Sequence, residues 1–342
     1  MTAPTMPNLP NFPNASAESS FSMRVKDKIL SSIRPVIEHS EYVSTNLIAV
    51  RALAEKIKDI SIPKWNNELQ LLSSDEETIQ YYFFVDSTQG CTWPAKGKER
   101  WFFKKDEDWI KGYYAFAYAI KQAILKDKKY LNAEYLSNIS LQDFSDIFEG
   151  KGELQLLPQR HKALTENFGI LKKKYGGQAA NLVKNAAKDA NVLVFKITSE
   201  FPSFDDSALF GGQKVYFWKR AQIFVNDIHF ALNGRGLGKF QNMSDLTIFA
   251  DYKLPQLLQF EGVMKYSEEL IQKIRAEELL PSGSAEEVEI RAHTIHACEL
   301  LRDELQNIGK DLTSQQLDWI LWNLSQKVSF SLPHHRTATI YY

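Results

Sequence analysis

Cysteine is nearly absent: Cys91 and Cys298 are the only two in 342 residues, so there is no disulfide framework and no four-cysteine zinc site, which suits a reducing compartment. Glycine is sparse too, at 16 residues. An excess of one charge is also missing. The 41 basic and 42 acidic side chains leave a net charge of −1, which excludes a nucleic-acid coat and argues against stable binding to any phosphate backbone. No stretch reaches the roughly 18 apolar residues of a membrane span, and the first residues lack the basic start and apolar run of a secretory signal. The expectation is a cytoplasmic protein, with the nucleus also open to it, working as a monomer away from membranes.

What the chain does have is aromatic mass. The 21 Phe, 14 Tyr and 7 Trp make up 12% of it, which with low glycine suggests long helices around an aromatic core or pocket. Residues 1–21, with Pro at 4, 7, 10 and 13, read as a disordered arm. Residues 22–150 then read as a helical region with a small β element and 151–342 as a helical catalytic region, or the two as one compact domain over 22–342. Helical spacing begins at Met23 and recurs through NLIAVRALAEKIKDI until Pro63. ETIQYYFFVD running into DSTQGCTWPAKGKERWFFKK is the best strand candidate, read as a short hairpin or extended piece. Helices are expected over 106–126, after Ser140, and from Leu157 to a stop at Gly176 and Gly177. FPSFDD and LFGGQ read as loops. Ser244 is a plausible N-cap for DLTIFADYKLPQLLQFEG, a helix that Pro255 must kink or break, and Ser314 a plausible cap for SQQLDWILWNLSQKV.

The informative feature is carboxylates inside apolar stripes. Asp227 falls at helical spacing with Phe224, Ile228 and Ala231, Asp251 with Leu254 and Leu258, and Asp318 with Leu321 and Trp322. A carboxylate drawn inward loses hydration, so its pKa rises or it finds a partner. Three in one half of the chain suggest a polar pocket, although each alone could cap a helix or pair with Arg220 or Arg291. Other candidates are weaker. NGRGLG has glycines at 234, 236 and 238 but neither a preceding strand nor a GK[ST], so it reads as a helix-ending loop. His293, His296 and Glu299 share a helical face, yet HTIHACE is not HExxH, and Cys298 reads as a packed thiol.

Taken in order, FPSFDD, YFWKRAQIFVND, TIFADYKLPQLLQFEGVMKYS, EVEIRAHTIHACELLRDEL, LDWILWN and HHRTATIYY resemble the queuosine salvage proteins, the queuosine 5'-phosphate N-glycosylases. The resemblance runs from about Trp101 to Tyr342. It implies a mainly α, multi-helical fold related to the DNA glycosylases, with the short β hairpin in the N-terminal half. It also implies hydrolysis of queuosine 5'-monophosphate to queuine and ribose 5-phosphate. Carried over by position, it makes Asp251 the nucleophile or transition-state stabiliser and puts Phe249, Tyr252, Gln256, Asp318, Trp319, Asn323 and Asn67 at the substrate. Three places depart from the family pattern. Asn323 stands where Asp is usual, Asn67 where His is usual, and Gly90 and Thr92 where Phe is usual.

The chemistry of the residues agrees. Breaking an N-glycosidic bond leaves positive charge on the sugar, which a buried carboxylate such as Asp251 stabilises more in the transition state than in the ground state. Asp318 suits the base or its cationic side chain and Asp227 a supporting role, while Phe249 and Trp319 suit stacking on a flat base. Lys219, Arg220, His335 and Arg336 are the candidates for the 5'-phosphate. No metal or organic cofactor is required, since water is the second substrate. Two rival readings stay open. One is a catalytically impaired protein that holds queuine or a nucleotide, motivated by Asn67 and Asn323; the other acts on intact tRNA or DNA.

Overall fold

The computed structural model describes residues 23–65 and 68–342, so the Pro-rich arm and Asn67 lie outside the described residues. Fourteen α-helices and three two-stranded sheets make up the described part, in agreement with a mainly α architecture. One buried apolar cluster includes Val25, Phe83, Phe168, Phe224, Ile295 and Leu321 and so draws on both halves of the chain.

At its centre lies the helix Asp75–Thr88, in which every residue from Thr78 to Thr88 is buried. This is the ETIQYYFFVD segment read as extended. A helix buried all round carries no amphipathic period, so its aromatic run cannot be told from a strand by spacing alone. Its start is nevertheless encoded: the Ser74 side chain accepts from Glu77 N, and Asp75, Glu76 and Glu77 fill the positive first turn. The helix packs against Leu157–Tyr175 and against Lys219–Ala231. Leu157–Tyr175 ends at Gly176, which is left-handed with φ 61°, as the glycine pair implied.

The N-terminal hairpin exists but sits later than expected, with Phe102–Lys105 paired to Asp108–Lys111. The following helix therefore begins at Gly112, not near Asp106. LFGGQ, read as a loop, is the tip of a second hairpin, Ser207–Phe210 with Gln213–Tyr216. Gly211 and Gly212 both have positive φ, the geometry that a two-residue hairpin turn demands. The third sheet is long-range, joining Val43–Thr45 to Met264–Tyr266.

The segment after Ser244 differs most from expectation. No helix runs through DLTIFADY; residues 246–252 form no regular element and the helix is Lys253–Phe260. Pro255 occupies its first turn, where its missing N–H would have had no partner anyway, so it neither kinks nor breaks it. The last helix, Ser314–Ser325, is capped by Thr313 and not by Ser314, through a reciprocal pair of hydrogen bonds with Gln316. No helix among the described residues is long and apolar enough to cross a membrane.

Candidate active site

Two helices supply much of the lining of a cleft. Lys219–Ala231 contributes Lys219, Ile223, Asn226 and Asp227, and Ser314–Ser325 contributes Gln315, Asp318, Trp319 and Trp322. The spacings i, i+4, i+7, i+8 and i, i+3, i+4, i+7 each describe one helical face. The irregular stretch around Phe249, Asp251 and Tyr252 adds to that lining.

Asp251 is held by its own neighbourhood. Its Oδ1 accepts from the backbone N–H groups of Lys253 and Leu254 at 2.8 and 2.9 Å, two of the free donors at a helix start. Burial raises its pKa, while Lys219 and those two N–H groups pull it back down. Asp318 is pushed well up by burial, and its Oδ1 accepts from Phe249 N at 2.9 Å. Asp227 is raised to about 7, mainly by burial, against the pull of hydrogen bonds from Tyr113 and Asn226. The Tyr113 hydroxyl donates to its Oδ2 at 3.1 Å.

A fourth carboxylate escaped the sequence reading. Asp86 is fully buried at the end of the central helix, is pushed well up by burial and by Asp227, and has an Oδ2 without a hydrogen-bond partner. Lys219 stands among these acids. Burial lowers its pKa, and Asp251, Asp86 and Asp318 raise it again. Its backbone N–H donates to Asp206, whose carboxylate is in turn gripped by both terminal nitrogens of Arg291 at 2.8 and 2.6 Å.

The flat walls are aromatic. Trp319 and Trp322 stack with centroids 5.6 Å apart and planes 4° from parallel. Trp65 lies 5.2 Å from Trp319, whose indole N–H donates to Pro63 O at 2.9 Å. Phe249 and Tyr252 also line the cleft, and the Tyr252 hydroxyl meets Thr92 Oγ1 at 3.1 Å. Arg100 and Lys253 bring positive charge to the lining, and Arg100 Nε is buried without a partner.

Of the expected site residues, Asp251, Phe249, Tyr252, Asp318, Trp319, Asp227 and Lys219 line one cleft. The others are engaged elsewhere. The fully buried Arg220 guanidinium donates to the carbonyls of Asp86, Ser87 and Ser203. Arg336 pairs with Glu277 at 2.6 Å, and the His335 ring lies 3.4 Å from the Tyr342 hydroxyl. Gln256 spans Lys253 and Leu332 O, and Asn323 donates to Trp319 O at 2.7 Å on its own helix. His293 uses both ring nitrogens, against Ser40 and Thr45 at 2.9 Å each, so its face is a packing network. Trp65, Arg100, Asn226 and Gln315 went unnoticed: two are neutral amides, and the other two sit in turn-rich stretches without a repeating pattern.

Fold and site together describe a helical protein whose acidic, tryptophan-walled cleft suits a small nucleotide-like molecule carrying a flat base. The chain belongs to the queuosine salvage protein family, which it matches over residues 69–342. It is 37% identical over 317 residues to the queuosine 5'-phosphate N-glycosylase/hydrolase of Sphaerobacter thermophilus, covering 92% of this chain and 97% of that one. To the protein of the same name from Mus musculus it is 34% identical over 329 residues, covering 91% and 97%. To that from Dictyostelium discoideum it is 35% identical over 268 residues, covering 78% and 79%.

Proposed function

We propose that this protein hydrolyses the N-glycosidic bond of queuosine 5'-monophosphate, releasing queuine and ribose 5-phosphate. The observation that carries the reading is Asp251, a carboxylate pinned through one oxygen by two backbone N–H groups while still part of the cleft lining. As the bond between C1' and the base nitrogen breaks, its electron pair leaves with the base and positive charge grows on the sugar. Asp251 stabilises that charge at close range, and water adds its oxygen to C1' while the proton it gives up ends on the base nitrogen that took the electron pair, which completes the hydrolysis. A fixed carboxylate in a poorly solvated site needs no reorganisation when the charge develops.

The remaining lining supports the same substrate. Trp319 and Phe249 offer faces for the base, and such stacking contributes about 1–3 kcal/mol per base. Asp318 and Asp227 suit the N–H donors and the cationic side chain of a queuine base. Arg100 and Lys253, together with Lys219, are better placed for the 5'-phosphate than Arg220, His335 or Arg336, because the first three line the cleft and the others do not. The departure at Asn323 gives little weight to an impaired site, because its amide is turned back onto Trp319 O.

The test is direct. Purified protein incubated with queuosine 5'-monophosphate should release queuine, followed by mass spectrometry. Asp251→Asn should lower turnover by about 10²–10³-fold or more without any loss of thermal stability. Wild-type turnover no higher than that of the variant would sink the reading.

A further inference from the structure

Gln315 lies in the cleft lining, is 2% exposed, and has neither Nε2 nor Oε1 in a hydrogen bond among the described residues. A buried primary amide normally satisfies both ends, and one left wholly unpaired destabilises the fold it sits in. In the same lining, on the helix Lys219–Ala231, the Oδ1 of Asn226, 6% exposed, is likewise buried without a partner among the described residues. A wholly unpaired amide and a second unpaired amide oxygen in one cleft mark where a polar ligand edge belongs.

The helix fixes which edge. Gln315 precedes Trp319 by one turn on the same face, and helical side chains lean toward the N-terminus, so a ring lying flat on Trp319 turns an edge toward Gln315. An amide carries a donor and an acceptor side by side. Its natural complement is a ring amide, in which N–H and C=O stand adjacent on the same edge.

We propose that Gln315 reads the lactam edge of a 6-oxo, 2-amino base, accepting its ring N–H at Oε1 and donating from Nε2 to its carbonyl, with Asn226 Oδ1 taking the neighbouring amino N–H. The assignment rests on the nucleotide reading above and adds the group that selects the base. Gln315 contributes to base binding and leaves the phosphate and sugar contacts alone.

Calorimetric titration of the full-length protein tests it, with queuine and ribose 5-phosphate as separate probes. Gln315→Leu should weaken queuine binding about tenfold or more while ribose 5-phosphate stays within about twofold. Gln315→Glu keeps the acceptor but sets a negative oxygen against the base carbonyl, and should bind queuine no better than Gln315→Leu. Should Gln315→Leu lower the melting temperature, the longer and flexible Gln315→Met is scored in its place. Queuine affinity within twofold of wild type in these variants, or no queuine binding by wild type, overturns the proposal. The expected binding pattern in a protein that does not hydrolyse queuosine 5'-monophosphate would unseat the hydrolase reading and leave Gln315 standing.

Discussion

Asp227 has a carboxyl whose proton is held far more tightly in the folded chain than in water, about 7 against an ordinary 3.8. Between those values the folded state binds more protons than the unfolded one, so stability falls as pH rises toward 7 and levels off above it. The loss at neutral pH is on the order of 4 kcal/mol for a shift of this size, and Asp86, Asp251 and Asp318, all raised by burial, act in the same direction. Asp227→Asn keeps an oxygen for the Tyr113 hydroxyl and removes the charge. It should raise the melting temperature at pH 8, raise it clearly less at pH 5, and flatten the decline between them; an equal change at both values would refute the account. Asp227, Asp251 and Asp318 were legible in the sequence because each interrupts an apolar stripe at helical spacing. Asp86 was not, because Tyr82, Phe83, Phe84 and Val85 surround it with apolar residues on every face and leave no stripe to interrupt. The surroundings of Arg220 were hidden for a related reason: its charge is visible in the sequence, but the carbonyls that meet it, at positions 86, 87 and 203, are distant from it in the chain.

At the scale of elements, the site depends on how the last helix is started. The reciprocal hydrogen bonds of Thr313 and Gln316 set the first turn, and Gln315, Asp318, Trp319 and Trp322 follow in register. Thr313→Ala removes the side-chain cap, costing about 1 kcal/mol, and lets the turn carrying Gln315 fray. The expected outcome is a small drop in melting temperature with a rise in KM for the nucleotide larger than the change in kcat. Equal KM in wild type and variant would show that the register survives without the cap. Helices with one greasy face were readable from spacing, as in Val25–Glu38, whose buried residues are Val25, Ile29, Ile33 and Val36. The irregular stretch 246–252 was not, since TIFADYKLPQLL carries helical spacing throughout. Its outcome is decided by tertiary bonds, Thr247 to Gln222 and Phe249 to Asp318, that no local pattern encodes.

On the scale of the whole molecule, the cleft is assembled from distant parts of the chain: Trp65, Gly90, Asp227, Asp251, Trp319 and Tyr342 all line it. Gly90 shows how closely those parts meet. A Cβ added there would stand 3.1 Å from Thr339 O and 3.2 Å from Ile340 Cα, both backbone atoms that cannot swing aside. Gly90→Val should therefore force the 339–342 segment outward, costing about 1–3 kcal/mol and weakening nucleotide binding. Differential scanning calorimetry beside a KM measurement checks both, and a variant matching wild type in each would show that the segment yields freely. The absence of Phe at this position is thus a packing requirement of this chain, which sequence reading could register only as a departure.

The hydrogen bond from Phe249 N to Asp318 Oδ1 joins the helix that carries Trp319 to the stretch that carries Asp251. Because Asp251 is itself tied to the start of the next helix, Trp319 and the carboxylate proposed to stabilise the sugar belong to one frame. Such a frame acts as a gauge. A base that seats at the wrong depth against Trp319 carries its sugar past Asp251, so an unsuitable nucleotide can enter, bind and leave intact.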